Sequence, residues 1–283
     1  MRILVTGAEG LLGRACLAAA EGAHDAMGLD VGEVDITDAR AVSSALTDLE
    51  PQAVIHCAAY TNVDGAEADE QKAMDVNAKG AGLVALSTRE IGAVMAHVST
   101  DYVFDGEKRA PYVEEDIPRP LSSYGRSKLQ GEREVVAACP DSHLIVRTAW
   151  LYGVEKGFAD WVCRGLDGGR PLRLVADHRG SPTYAADLAG ALLRLVEQGH
   201  RGIFHYVNRG ETSWLEWGQR IAELTGRSET AFEAVEDADL RRPAPRPAYS
   251  VLSVSKYEDA TGVRVPTWQE GLERYMKDAG RTN

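Results

Sequence analysis

Val5-Thr6-Gly7-Ala8-Glu9-Gly10-Leu11-Leu12-Gly13 follows a strand-like run, Arg2–Thr6, and opens a helical pattern over 11–21. This turn decides the fold. Glycine at Gly7, Gly10 and Gly13 permits a tight turn, lets backbone approach a pyrophosphate, and lets the helix pack closely on the strand. The helix start at Leu11 and Leu12 offers N–H donors and the positive end of a dipole for phosphates. The spacing is Gly-x-x-Gly-x-x-Gly, not the Gly-x-Gly-x-x-Gly of the usual dinucleotide fingerprint. The strand–turn–helix context therefore carries the reading, and a purely structural turn is the alternative. Asp30, twenty residues past Gly10, ends the next strand run. An acid there can accept from an adenosine ribose hydroxyl, although an exposed strand-end Asp is the bland reading. No Arg follows it to meet a 2′-phosphate, so on chemistry alone NADH is favoured. Asp35 and Ile36 could flank the adenine, one as a polar contact and one as an apolar wall.

Outward from this turn, short apolar runs alternate with helical patterns. Strands are expected at 2–6, 25–30, 53–57, 94–99 and 143–148, and helices at 11–21, 38–49, 71–92 and 123–138, with Asp38 as an N-cap. Runs such as Ala53-Val54-Ile55-His56-Cys57 are nearly continuous in apolar character, as in strands buried on both faces of a parallel sheet. The expected fold class is α/β: a doubly wound parallel sheet of Rossmann type, with a smaller C-terminal α/β substrate domain. Residues 1–150 form the dinucleotide-binding domain, rejoined by about 171–207. Residues 151–170 and 208–283 form the smaller domain. Helices are expected in the smaller domain at 159–166, 214–225 and 267–277, and the rejoining stretch is expected to hold a strand at 172–175, a helix at 184–198 and a strand at 203–207. Arg241-Arg242-Pro243-Ala244-Pro245-Arg246-Pro247 can be neither helix interior nor central strand and reads as a surface loop.

Composition narrows the partners. The 283 residues carry a net charge of -12, which argues against a nucleic-acid binder, since that needs a basic face. An anionic small ligand must then be met locally, by backbone N–H groups and a few Arg or Lys. No apolar run reaches membrane-spanning length and no signal-peptide pattern opens the chain. Cys16, Cys57, Cys139 and Cys163 lie scattered in apolar contexts, which reads as buried reduced thiols and a cytoplasmic setting.

A ketone reductase needs a proton donor at the carbonyl oxygen. A Tyr beside a Lys, with a hydroxyl sharing the oxygen, can supply it. Tyr124-Gly125-Arg126-Ser127-Lys128 places Tyr and Lys a helical turn apart on one face, behind the capping residues Ser122-Ser123. The ammonium is expected to lower the phenol's pKa. Tyr152-Gly153-Val154-Glu155-Lys156 repeats the spacing, but its glycines break a helix and it reads as a loop coincidence. Ser99-Thr100-Asp101 follows the strand Val94–Val98, so Thr100 falls at a strand's carboxyl end, where open α/β sheets bind ligands. A lone Ser or Thr there is usually a cap; three features in the right order point to catalysis instead.

Together these residues resemble the extended short-chain dehydrogenase/reductases. The motifs are Gly7-x-x-Gly10-x-x-Gly13, Ser99-Thr100-Asp101-Tyr102-Val103-Phe104-Asp105-Gly106 and Tyr124-Gly125-x-x-Lys128. Within that family the chain is similar to the reductases of dTDP-linked 4-keto-6-deoxysugars. That similarity runs on through Ala58–Asp64, Val76-Asn77-Ala78, Arg147–Gly153, Gly180–Ala189 and Arg246-Pro247. The resemblance implies reduction of a dTDP-sugar, dTDP-4-dehydro-L-rhamnose to dTDP-L-rhamnose first among the possibilities, by NADPH or NADH. It implies Tyr124 as acid, Lys128 as ribose anchor and Thr100 as oxygen partner. Gly10, Leu11, Leu12, Asp30, Asp35, Ile36, Ala58, Ala59, Tyr60 and Val98 would line the dinucleotide. Thr100, Asp101 and Trp150 would touch the sugar nucleotide, and Arg179 and Arg246 its diphosphate. The family accepts NADPH and often NADH, so the cofactor choice stays open. Ala15 stands where some members carry a metal-binding glutamate at a dimer interface, so no metal is expected. Asp177-His178 replaces the family's usual Asp-Gln. The chain is expected to act as a monomer or homodimer. Rival readings are a 4,6-dehydratase or 4-epimerase, a 4-ketoreductase of an antibiotic-sugar pathway, and a non-catalytic regulatory NADP-binding protein. Asp101-Tyr102 after Thr100 lacks the extra acid of a dehydratase.

Overall fold

The structure, a computed structural model, describes residues 1–154, 157–169, 171–227 and 232–281. The chain runs β1 (Arg2–Thr6), α1 (Leu11–Ala20), β2 (Asp25–Leu29), α2 (Ala39–Leu49), β3 (Ala53–His56), α3 (Val63–Ala68), α4 (Glu70–Met74), a π-helical turn (Asp75–Gly80), α5 (Ala81–Glu90), β4 (Val94–Thr100), α6 (Ser123–Ala138) and β5 (His143–Thr148). It continues through β6 (Leu151–Tyr152), α7 (Phe158–Asp167), β7 (Leu172–Val175), β8 (Thr183–Tyr184), α8 (Ala185–Glu197), β9 (Gly202–His205), α9 (Trp214–Leu224), β10 (Phe232–Val235), α10 (Ser255–Thr261) and α11 (Trp268–Asp278).

Six strands pair in parallel in the order β2-β1-β3-β4-β5-β9. The winding reverses between β1 and β3, which leaves a crevice beyond their carboxyl ends. Ala53 to His56 are all buried, as their unbroken apolar run requires. One face of the sheet packs Ile3, Val5, Ile55, Ala96 and Val146 against Leu12 and Cys16 of α1 and Leu188 and Leu192 of α8. The other packs Leu4, Val54, Met95 and Ile145 against Val42 and Leu46 of α2, Val84 of α5 and Val135 of α6. Asp38 caps α2, its carboxylate accepting from Arg40 N at 2.9 Å.

A second core gathers Tyr152, Val162, Leu174, Trp217, Leu272 and Tyr275 from α7, α9, α11 and the short strands. Leu172–Val175 differs from expectation. It falls within the stretch expected to rejoin the large sheet, yet pairs in parallel with β10. Its Leu172 and Leu174 bury against the Trp217 cluster instead, and only α8 and β9 return to the large sheet. The helix expected over 71–92 is three consecutive pieces, with the π-helical turn in the middle. Among the described residues no helix is long and apolar enough to cross a membrane.

Candidate active site

A cleft of about 790 Å³ opens over the carboxyl ends of β1, β3, β4 and β5. Gly7 adopts φ +68°, and a Cβ there would come within 2.7 Å of the Ala58 backbone. A Cβ on Gly13 would lie 2.1 Å from the Gly7 carbonyl oxygen. These two glycines are thus required by the turn itself. Gly10, the N-cap of α1, offers no side-chain cap, so the helix's first N–H groups face the cleft uncapped. Asp30 accepts from Glu9 N at 2.8 Å and from Val31 N at 2.8 Å, which ties the end of β2 to the glycine turn.

Tyr124, Lys128 and Thr100 meet at the end of β4. Ser122 caps α6 by accepting from Gly125 N at 3.1 Å. Gly125 lets the helix press against the turn after β4: a Cβ would stand 2.2 Å from the Tyr102 carbonyl oxygen. Tyr124 therefore enters the cleft edge-on to Tyr102, with ring centroids 5.5 Å apart, and lines it together with Thr100. Lys128, 3% exposed, donates to the Val98 carbonyl at 2.7 Å. Thr100 donates to the Asp101 carboxylate at 3.0 Å.

Burial dominates the electrostatics. It pushes the Tyr124 phenol well above its ordinary value; the nearby Thr100 hydroxyl opposes this and the Asp101 charge adds to it. The expected lowering of the phenol by Lys128 is not found, because the ammonium is directed at the Val98 carbonyl. Burial pulls Lys128 down to about 8, against the attraction of the Glu132 carboxylate. Asp101 is pushed up to about 6 by its burial, which the hydrogen bond from Thr100 opposes.

The cleft brings together almost every residue singled out from the sequence. Gly7, Gly10, Leu11, Leu12, Gly13, Asp30, Asp35, Ile36, Ala58, Ala59, Tyr60, Val98, Thr100, Asp101, Tyr124, Lys128 and Trp150 all line it. Two cations do not. Arg179 is held by Glu216 at 2.8 Å and Glu211 at 3.3 Å, away from the cleft. Arg246 forms a paired contact with Asp64 at 2.9 and 2.8 Å, so its loop docks on α3 rather than lying free on the surface. Ala244 in that loop is 2% exposed for the same reason. Asp177 and His178 both turn toward Asp237. Tyr152 is fully buried in the second core, and Lys156 lies outside the described residues.

Sequence reasoning missed two participants. Trp214 stacks on Trp150 at 3.8 Å and lines the same cleft. Trp150 sits at φ +45°, and its indole fills the space a side chain at Gly180 would need. Asn77, 1% exposed, accepts from Tyr60 N at 2.8 Å, donates to Tyr60 O at 3.0 Å and donates to Ser127 Oγ at 2.9 Å. It clamps the Ala58–Tyr60 segment to α6. In the sequence Asn77 stands within the Val76-Asn77-Ala78 stretch of the resemblance, with no role assigned to it.

A switch-point cleft with a glycine turn, a Tyr-x-x-x-Lys helix and a hydroxyl at the end of β4 defines the extended short-chain dehydrogenase/reductase class. Within it, the chain belongs to the family described as RmlD substrate binding domain, matched over residues 1–281. It is 40% identical to a dTDP-4-dehydrorhamnose reductase of Mycolicibacterium smegmatis, over 96% of this chain and 84% of that one. It is 38% identical to a probable dTDP-4,6-dihydroxy-2-methyloxan-3-one 4-ketoreductase of Streptomyces antibioticus, over 98% and 95%. The dTDP-4-dehydrorhamnose reductase of Bacillus anthracis, solved in complex with NADP, superposes with a TM-score of 0.94 at 35% identity, over 98% and 99% of the two chains.

Proposed function

We propose that this protein reduces the 4-keto group of a dTDP-linked 6-deoxysugar, dTDP-4-dehydro-L-rhamnose to dTDP-L-rhamnose, with NADPH or NADH. The observation that carries the reading is the meeting of Tyr124, Thr100 and Lys128 in one cleft with the glycine turn. The cleft fits a dinucleotide: the uncapped α1 N-terminus suits a pyrophosphate, Asp30 a ribose, and Lys128 a second ribose. When bound, the reduced nicotinamide supplies a hydride to the sugar carbonyl carbon. Tyr124 gives a proton to the carbonyl oxygen, and Thr100 shares that oxygen through its hydroxyl. A phenol held neutral by burial is fully protonated at working pH and so stays available as an acid. Lys128 holds charge beside it. Trp150 and Trp214 form an aromatic wall for the sugar nucleotide. Arg179 and Arg246 act as diphosphate partners only if substrate draws them from Glu216 and Asp64.

The residues of the second core, outside the large sheet, form the substrate domain in this reading. The four cysteines are free, in keeping with action in the cytoplasm, as monomer or homodimer. A second reading, a 4-ketoreductase of another dTDP-deoxysugar, is favoured by the similarity to the Streptomyces antibioticus protein. Cofactor oxidation on adding dTDP-4-dehydrorhamnose tests the proposal. Turnover that is lost in Tyr124→Phe supports it. Turnover only with a different dTDP-4-keto sugar moves the assignment to the second reading, and no turnover with any such sugar refutes both.

A further inference from the structure

Three successive turns of α6 meet three adjacent residues of β4. Tyr124 lines the cleft with Thr100, Lys128 donates to the Val98 carbonyl, and Glu132 accepts from Ser99, whose hydroxyl lies 2.5 Å from Glu132 Oε1. The mechanism uses the first two pairs and leaves the third unexplained. Glu132 does not line the cleft and is 3% exposed. Arg147 of β5, 2% exposed, grips both its oxygens, Nε to Oε1 at 2.8 Å and Nη2 to Oε2 at 2.7 Å. Ser99 and Arg147 are register partners, and the next pair along the strands, Thr100 and Thr148, lines the cleft. The carboxylate thus ties α6 to both strands one residue behind the reacting end.

A buried ion pair is a weak device for stability, because desolvation consumes most of the attraction and apolar residues of like size do as well or better. Its place here has another use. We propose that Glu132 is a positioning residue for the reduction: it fixes Lys128 and Thr100 relative to each other and keeps a carboxylate charge one helical turn behind the Lys128 ammonium. The proposal rests on the reductase reading above.

The groups around Lys128 support this. Its own helix contributes Tyr124 and Glu132. From β3 and the residue after it come His56 and Cys57, and from β4 comes His97. Asp101 acts on Tyr124 from the turn after β4, and Arg147 of β5 reaches Glu132. Burial holds both imidazoles neutral at working pH, and they share the same buried layer. Among the described residues, Glu132 is the carboxylate that favours the ammonium. Lys128, already pulled down to about 8 by burial, loses its proton long before the Tyr124 phenol. The alkaline limb of the kcat profile therefore reports Lys128.

The test compares the pH dependence of kcat in the wild type, Ser99→Ala, and the pair Glu132→Gln/Arg147→Met, which removes both charges together. The double variant is expected to shift the alkaline limb down by roughly one pH unit, with the KM for the sugar nucleotide changed less than about twofold. Ser99→Ala keeps the charge and loses the tie to β4; kcat falls several-fold with the limb in place. A merely structural pair would lower Tm and leave the limb where it is, and that outcome in a folded, cofactor-binding double variant overturns the proposal. Should the double variant not fold, Glu132→Asp decides. It retracts the charge by one methylene, so a partial downward shift supports the proposal and an unmoved limb overturns it. A wild type inactive on every dTDP-4-keto sugar refutes the reductase reading itself, and the proposal with it; an active wild type with unmoved variants refutes the proposal alone.

Discussion

In the proposed reduction Tyr124 bears the heaviest chemical load, and it shares the cleft with Thr100. Replacing it with Phe removes the proton donor and little else, because the ring keeps its edge contact with Tyr102. Tyr124→Phe is expected to lower kcat by roughly 10²–10⁴-fold with the cofactor Kd unchanged, measured by steady-state kinetics and fluorescence titration. Gly180 offers a second residue-level prediction. A methyl there would sit 2.4 Å from the Trp150 ring, so Gly180→Ala must displace the indole. The expected result is a rise in the sugar-nucleotide KM, worth about 1–3 kcal/mol, with cofactor KM unmoved. At this scale the sequence was legible wherever chemistry sits at a strand end or in a motif, as with Thr100 and Lys128. It was illegible where a partner decides the outcome. Arg179 and Arg246 look like free cations in a loop, and only the fold brings Glu216, Glu211 and Asp64 to them. The direction of the Tyr124 shift escaped for a like reason, since burial outweighs a neighbour whose position the spacing does not fix.

The π-helical turn Asp75–Gly80 is the element on which the site's geometry turns. It presents Asn77 to the Tyr60 backbone and to Ser127, and Gly131 of α6 must lack a side chain because a Cβ would lie 2.1 Å from the Asn77 carbonyl oxygen. Such turns recur at functional sites, and here one joins the Ala58–Tyr60 segment to α6. Asn77→Ala leaves the Tyr60 N–H and carbonyl without their partner. It is expected to destabilise the protein by about 2–4 kcal/mol in denaturant unfolding and to raise the cofactor KM. Long elements were readable before folding: the periodicity of 123–138 and the apolar runs of β1 and β5 match the observed ranges. The π-helical turn was not, because a helical pattern does not record a change of hydrogen-bond period. Leu172–Val175 was readable as a strand but not by sheet, since its alternate buried leucines would suit either core.

Across the whole molecule, neutral imidazoles buried on strands β3, β4 and β9 of the sheet shape its acid stability. Burial holds His56 and His205 near 3, and His97 is likewise lowered. Above the ordinary imidazole value neither folded nor unfolded chain is protonated there, so these groups give no pH slope. Between about 6.5 and 3 the unfolded chain takes up protons that the folded one refuses, and stability falls as pH falls. Two units below the ordinary value, each of His56 and His205 costs roughly 2–3 kcal/mol. Asp101 runs the other way, because its raised value lets the folded state bind a proton first, and it offsets the larger part of one histidine. Denaturant melts at successive pH values should therefore show stability dropping below about 6.5; a flat response down to about 4.5 would contradict buried neutral imidazoles. The central claim concerns where two hydrogens go: one to the sugar carbon, and one from Tyr124 to the oxygen. The direct measurement uses cofactor deuterated at its reducing carbon with dTDP-4-dehydrorhamnose, and product analysis by NMR. One deuterium at C4 of the dTDP-6-deoxysugar, in wild type and absent in Tyr124→Phe over the same time, is the predicted result. Product without deuterium at C4, or undiminished transfer by Tyr124→Phe, would contradict the account.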